Sequence, residues 1–241
     1  MPSLRVLTWN LQGGRGADLK FIGEELASWA PDVVALQEVQ RRQAQRLGEQ
    51  LEWHERWAFK HAPIVRRSEG LAILSRHELA ASETLVLQPA LLTSARRRIA
   101  LIVRVRLPGR LITVASVHLS HHERAAARLT EVNRFIEHIR TVDRDVVVAG
   151  DFNEQPPSNV IARLEQNGWA DSWSTAEARV GDGMTNWSPG SRIGRGPDQR
   201  IDYVLVARAT RVVRALIPTS RHQEFAPISD HLPLLVTLDL P

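Results

Sequence analysis

Cysteine is missing from all 241 residues, which excludes disulfides, thiolate metal sites and a cysteine nucleophile. Lysine is nearly missing: Lys20 and Lys60 are the only two, so the basic side of a formal net charge of +4 is almost all arginine. The planar guanidinium fork suits phosphate groups, although an arginine bias also arises from codon composition. Tyr203 is the only tyrosine. No run approaches the ~20 apolar residues of a membrane span. The start, Met1-Pro2-Ser3-Leu4-Arg5, lacks a basic segment, a long apolar stretch and a small-residue cleavage site, so the expected address is cytoplasmic. What is present is a 43% hydrophobic fraction, enough for a sizeable core. With no repeat and no dividing linker, the expectation is one domain over residues 1–241.

Buried-strand patterns cover Leu4–Leu11, stopping at Gly13-Gly14, and Asp32–Val39. Between them Leu19, Ile22, Leu26 and Trp29 recur at helical spacing until Pro31, and a short helix with Ala44, Leu47 and Leu51 follows. Gly70–Ser75, Glu83–Leu87 and Ile99–Leu107 read as strands, and Pro108-Gly109 turns the last into Leu111–Leu119. Glu123–Arg140 returns to helical period, Asp145–Ala149 is a short buried strand, and Ser158 caps a helix ending near Gly168. Gly181–Gln199, rich in Gly, Pro, Ser and Arg, reads as a long surface loop, and strands resume at Ile201–Val206, Arg211–Ile217 and Leu232–Leu240. Strands joined both by helices and by a hairpin imply mixed sheets covered on two outer faces. The expected class is α/β (α+β), a four-layer α/β/β/α sandwich.

Polar residues fall at strand ends. Asn10, Glu38 and His118 close three strands, Asp151 and Asn153 follow Val146–Gly150, Asp202 opens a strand, and Asp230-His231 precede the last one. Ends of strands running one way and starts of strands running the other meet at one sheet edge, so these residues can converge on one rim. Mg²⁺ is a hard ion that prefers carboxylate, amide and water oxygens. Glu38, Asn10 and Asp230 suit it, with Asp151 to hold the attacking water and Asp202 to orient His231. Taken singly, each has a plainer reading. Asn10, Asp151, Asn153 and Asp230 fit turns, Glu38 fits the solvated face of the next helix, and His118 fits a satisfied core histidine. Their shared placement at strand ends is what argues for chemistry.

Thr8-Trp9-Asn10, Leu36-Gln37-Glu38, Val117-His118-Leu119, Gly150-Asp151-Phe152-Asn153, Arg200-Ile201-Asp202-Tyr203 and Ser229-Asp230-His231 resemble, in order, the motifs of the endonuclease/exonuclease/phosphatase superfamily. That resemblance implies the four-layer sandwich, Mg²⁺ or Mn²⁺ dependence, and in-line attack by water without a covalent enzyme intermediate. It makes Glu38 the principal metal ligand, Asn10 a ligand or a support for its waters, and Asp230 a second-metal carboxylate. Asp151 would orient the nucleophile, Asn153 would hold the phosphate, and Asp202 with His231 would form the Asp–His pair. His118 matches the phosphate-contacting histidine of the deoxyribonuclease and phosphatase branches, and Glu69 takes the place of its acidic partner. Repair nucleases of the exonuclease III type carry a Tyr–Arg pair where His118 stands, which counts against an abasic-site nuclease. No extended insertion of the kind that docks sphingomyelinases on membranes is visible.

The leading expectation from sequence is a nuclease acting on nucleic acid. It is motivated by Arg41-Arg42, Arg66-Arg67, Arg96-Arg97-Arg98 and the loop with Trp187, Arg192, Arg195 and Arg200, where substrate choice is expected to lie. The alternatives are a phosphatase or phosphodiesterase of small phosphorylated molecules or lipid head groups, and a binding module without catalysis. No expected catalytic position is replaced, which argues against the last.

Overall fold

In the computed structural model, which describes residues 3–61, 68–89, 97–121, 124–141, 146–191 and 195–240, strand β1 (Ser3–Asn10) is buried over most of its length. It pairs in parallel with β2 (Val33–Val39) and antiparallel with the last strand, β13 (Leu234–Asp239). Around these three, the sheet extends through β4 (Glu69–Ser75) to the edge strand β3 (His54–His61) on one side. On the other side it extends through β12 (Arg211–Leu216) to the short β10 (Ala178–Val180). The second sheet runs in the order β5 (Leu79–Gln88), β6 (Arg98–Leu107), β7 (Arg110–His118), β8 (Val146–Asp151), β11 (Asp202–Ala207), β9 (Trp169–Asp171). Each sheet mixes parallel and antiparallel neighbours, as the alternation of helical and hairpin connections predicted.

The sheets pack face to face, with β1, β2 and β4 against β6, β7, β8 and β11. Their shared core is built from Val6, Ala35, Ile73, Val103, Val114, Ala149 and Val204. Helices α1 (Leu19–Trp29) and α2 (Arg41–Leu51) belong to the outer face of the first sheet, and α3 (Ala125–Ile139) and α4 (Asn159–Glu165) to that of the second. A second apolar cluster, with Val132, Phe135, Ile136, Val160 and Leu164, joins α3 and α4 to their sheet. This is the expected α/β/β/α sandwich. Two four-residue helices, α5 (Ser172–Thr175) and α6 (His222–Phe225), complete the described α-helices. Among the described residues no helix is long and apolar enough to cross a membrane.

Local chemistry sets the element ends. Asp18 caps α1 by accepting from the Lys20 and Phe21 amides, and Ala30 closes it in a left-handed conformation just before Pro31. Ser158 caps α4 as its sequence position predicted, although the helix stops at Glu165, three residues short of Gly168. The starts assigned from sequence at Glu123 and Asp145 lie outside the described residues. Strand β3 is missing from the sequence expectation because His54-Glu55-Arg56 and Lys60 mask its alternation. It is an edge strand, where charged residues are common.

The described residues of 181–199 form a loop, as expected, but not one confined to the surface. Thr185, Asn186 and Trp187 are buried, and Asn186 bridges to both Gln199 and His231. The Trp187 amide donates to the Asp230 carbonyl at 3.1 Å. This stretch folds back over the molecule because its backbone finds strand-like partners that no local periodicity announces. Arg98, named from sequence in the arginine run that motivated a nucleic-acid substrate, is buried on β6. Arg200 pairs with Asp171 at 2.7 Å and lies over the Tyr203 ring, so it serves the interior. Arg66, Arg67, Arg96 and Arg192 lie outside the described residues.

Candidate active site

Strand register lines up three of the expected residues. His118 on β7, Asp151 on β8 and Asp202 on β11 are direct neighbours across the second sheet. Strands β7 and β8 end there while the antiparallel β11 begins there, so one edge collects all three side chains. On the facing sheet β1 ends at Asn10, opposite Gln37 of β2, with Glu38 next in the chain. The pairing of β2 with β4 shifts register between Gln37 and Val39, and Glu38 has φ 52°. A bulge with a left-handed glutamate re-aims a side chain at the sheet rim, at a conformational cost the surrounding structure must offset. Asn153, also left-handed at φ 53°, follows Asp151 through an Asx turn in which its amide donates to Asp151 Oδ1 at 2.9 Å.

The Ser229-Asp230-His231 segment is tied down from below. Ser229 Oγ donates to the Asn10 carbonyl at 2.6 Å and accepts from the His231 amide at 3.1 Å, while Trp9 Nε1 donates to the His231 carbonyl at 2.9 Å. His231 Nδ1 lies 2.8 Å from Asp202 Oδ2, so the imidazole donates there and turns Nε2 toward the cleft. That Nε2 sits 3.8 Å from Asp151 Oδ2 and 3.8 Å from Asp230 Oδ1. Asn10 Nδ2 donates to Asp151 Oδ2 at 3.1 Å, which links the two sheets across the site. His118 places Nε2 3.6 Å from the same oxygen and Nδ1 3.9 Å from Glu38 Oε1.

The result is a cleft of about 540 Å³ with Asn10, Glu38, His118, Asp151, Asn153, Asp230 and His231 in its lining. One wall includes His121, Arg128, Glu154 and Gln155, and the other Asn186, Trp187, Pro189 and Gln199. Burial pushes the Asp151 carboxyl above the carboxylate range, and the neighbouring Asp202 charge pushes the same way against His231. For His231 burial opposes the cation, but Asp202, Asp151 and Asp230 outweigh it and raise its pKa.

Glu69 is buried at the start of β4, paired with His61 of the edge strand. A side chain hydrogen-bonded to His118 Nδ1 is Lys60 on β3, with Nζ at 3.1 Å. Lys60 is 1% exposed, and burial pulls its pKa down to about 8 while Glu38, Glu69 and Asp151 pull it up. Sequence reasoning missed it. The available signal was its two-residue spacing from the buried Ala58, which puts both on the inward face of β3. Gln12, which donates to Asp230 Oδ2, and Arg128, which pairs with Glu154 at 2.6 Å, were also missed. Neither belongs to a motif that a single sequence displays.

Asp151, Asp202 and His231 each offer a ligand atom within 4.8 Å of the others. The His231–Asp202 hydrogen bond already accounts for half of that proximity. The rim that also holds Glu38, Asp230 and Asn10 offers carboxylate and amide oxygens, a donor set that fits a hard divalent cation.

A two-sheet sandwich with carboxylates, amides and imidazoles gathered at one rim defines a hydrolytic phosphoesterase class. The profile of the Endonuclease/Exonuclease/phosphatase family matches residues 7–231, and the chain belongs to that family. Its members are phosphoesterase hydrolases that depend on a divalent metal. A solved family protein from Bacteroides vulgatus is 22% identical with TM-score 0.84 over 100% of both chains. The human nocturnin catalytic domain, solved with a bound sulfate anion, is 21% identical with TM-score 0.78, covering 100% of this chain and 94% of that one. A mannosyl-6-phosphatase from Bacteroides thetaiotaomicron is 16% identical with TM-score 0.78, over 98% and 100%. No curated protein matches the sequence significantly.

Proposed function

We propose that residues 1–241 form one catalytic domain that hydrolyses a phosphate ester by in-line attack of water, with Mg²⁺ as the metal and Mn²⁺ as its substitute. The observation that carries this reading is the convergence of Glu38, Asn10 and Asp230 with Asp151, Asn153 and the Asp202–His231 pair on one cleft. Glu38 and Asp230, with Asn10, would hold the cation, which when bound neutralises phosphate charge and stabilises the leaving oxygen. Asp151 Oδ2, held by Asn10, orients the attacking water and receives its proton. Asn153 holds a phosphate oxygen. His231, fixed by Asp202, presents Nε2 to the same phosphate, and His118 contacts it from the opposite strand. Glu69, buried on the neighbouring strand, favours the charged form of Lys60.

For the substrate we favour a compact phosphorylated molecule, a sugar phosphate, a nucleotide or a lipid head group, over a long polymer. The cleft has walls on two sides, and among the described residues its lining holds one arginine, Arg128, already paired with Glu154. Of the arginines that suggested nucleic acid, Arg98 is buried and Arg200 is paired inside. The structural relatives include a mannosyl-6-phosphatase. Nucleic acid remains the second reading because Arg41 and Arg42 are exposed on α2 directly beyond Glu38.

The test is hydrolysis of sugar phosphates, nucleotides, lysophospholipids, DNA and RNA with Mg²⁺ or Mn²⁺, using Glu38→Ala as the blank. Metal-dependent release of phosphate from a small ester, absent in the blank, is the expected result. Cleavage of DNA or RNA alone would establish the second reading. Turnover of nothing, or turnover unchanged in Glu38→Ala, would remove the proposal.

A further inference from the structure

Lys60 belongs to none of the family motifs, yet it is a buried cation placed against the site. It reaches from the edge strand β3 under the cleft, 1% exposed, to stand 3.1 Å from His118 Nδ1. An inward charge on an edge strand has a purely structural use, since it discourages pairing with a second sheet. Here, however, the amine is aimed at one ring nitrogen of a residue that lines the cleft.

The donor inventory decides what that contact does. An ammonium has three N–H donors and no acceptor, and a neutral imidazole carries one proton on one of its two nitrogens. Lys60 therefore requires a lone pair on His118 Nδ1, which leaves the proton on Nε2, the nitrogen 3.6 Å from Asp151 Oδ2. Glu38 Oε1 is 3.9 Å from Nδ1, beyond hydrogen-bond range. An acidic partner at Nδ1, which the family resemblance assigned to Glu69, has the opposite effect. It accepts the Nδ1 proton and either bares Nε2 or holds an imidazolium.

We propose that Lys60 is a positioning residue that fixes His118 as the neutral Nε2–H tautomer, so that His118 meets the substrate phosphate as a hydrogen-bond donor and not as a proton acceptor. The part concerning phosphate rests on the proposed function; the tautomer does not. One consequence is a division of labour. The water proton is left to Asp151, and two imidazoles on the same cleft take different roles because their Nδ1 partners differ, a carboxylate for His231 and an amine for His118.

Two-bond ¹H–¹⁵N correlation spectra of histidine-labelled protein at neutral pH report the tautomer directly, with His118 assigned by its loss in His118→Gln. The expected spectrum shows His118 protonated at Nε2 and bare at Nδ1 in wild type and in Lys60→Arg. In Lys60→Met a mixed or Nδ1-protonated form is expected. With the best substrate from the screen, Lys60→Met should lower kcat roughly 10-fold with KM changed less than about 3-fold, and Lys60→Arg should recover most of the loss. An edge-protecting lysine would leave the spectrum unmoved. Wild-type His118 protonated at Nδ1 or at both nitrogens overturns the inference, as does an unchanged tautomer in Lys60→Met. If Lys60→Met does not fold, the wild-type spectrum alone still decides. The spectrum needs no turnover, so an inactive protein sinks the proposed function separately from this assignment.

Discussion

Asp151 is 2% exposed and accepts hydrogen bonds from Asn10 and from the Asn153 amide, so its carboxylate is held in one place before any substrate arrives. Replacing it with Asn keeps the shape and removes the proton acceptor. Asp151→Asn should lower kcat by at least ~10²-fold with a near-native melting curve, and comparable turnover in a steady-state assay would return Asp151 to a structural role. Lys60 makes a prediction of stability against pH. Burial draws it down to about 8 from an ordinary 10.5, so between those values the unfolded chain holds a proton that the folded protein has lost. Stability from this residue therefore rises with pH through that window and is lowest below it. Lys60→Met should be the more stable protein at pH 7, by on the order of 3 kcal/mol, and its advantage should shrink as pH approaches 10. Urea titrations at pH 7 and pH 9.5 check both the sign and the trend.

At the scale of elements, the site depends on how closely β7 and β8 approach. A Cβ built on Gly150 would lie 2.0 Å from the Val117 carbonyl oxygen, at φ 154°. No side chain fits there without moving one strand, and Asp151 is the next residue. Gly150→Ala should cost roughly 2–4 kcal/mol and depress turnover together with stability; a variant with the parent's denaturation midpoint would show that the strands have room to spare. Beneath the rim, Gln37 Nε2 donates to Ser116 Oγ at 3.2 Å and to the Ala35 carbonyl at 3.1 Å. A motif glutamine thus ties β2 to β7, one sheet to the other, and sets the spacing across which Asn10 and Asp151 meet.

The whole molecule brings the carboxylates of Glu38, Asp151, Asp202 and Asp230 to one end of the sandwich, while two apolar clusters, not these carboxylates, hold the sheets and helices together. The fold should therefore survive chelation, and the activity should not. Saturating Mg²⁺ at ~100 times its Kd should add about 2.7 kcal/mol to the native state, a rise in Tm of roughly 5–10 °C for a chain of this size. Glu38→Ala should abolish that rise without lowering the metal-free Tm by more than a few degrees. A thermal-shift series against metal concentration measures this without any substrate, and an unmoved Tm in wild type would argue against a metal site at this rim.

Much of this was legible in the chain itself, for local reasons. The buried runs in β1, β2 and β8, the helical spacing of α1 and α3 and the Ser158 cap depend on near neighbours, and so do the glycines and acids grouped at strand ends. Those patterns led to the sandwich and to the list of residues that meet at its rim. Strand β3, the burial of Thr185–Trp187, the interior roles of Arg98 and Arg200 and the contact between Lys60 and His118 were not legible, because each is decided by partners far away in the chain. A lysine flanked by aromatics looks the same whether it faces water or a histidine 58 residues away. Sequence by itself determined which groups reach the end of the sandwich; only the packing of one sheet on the other decided which nitrogen meets which oxygen, since that is set by strand register and sheet spacing.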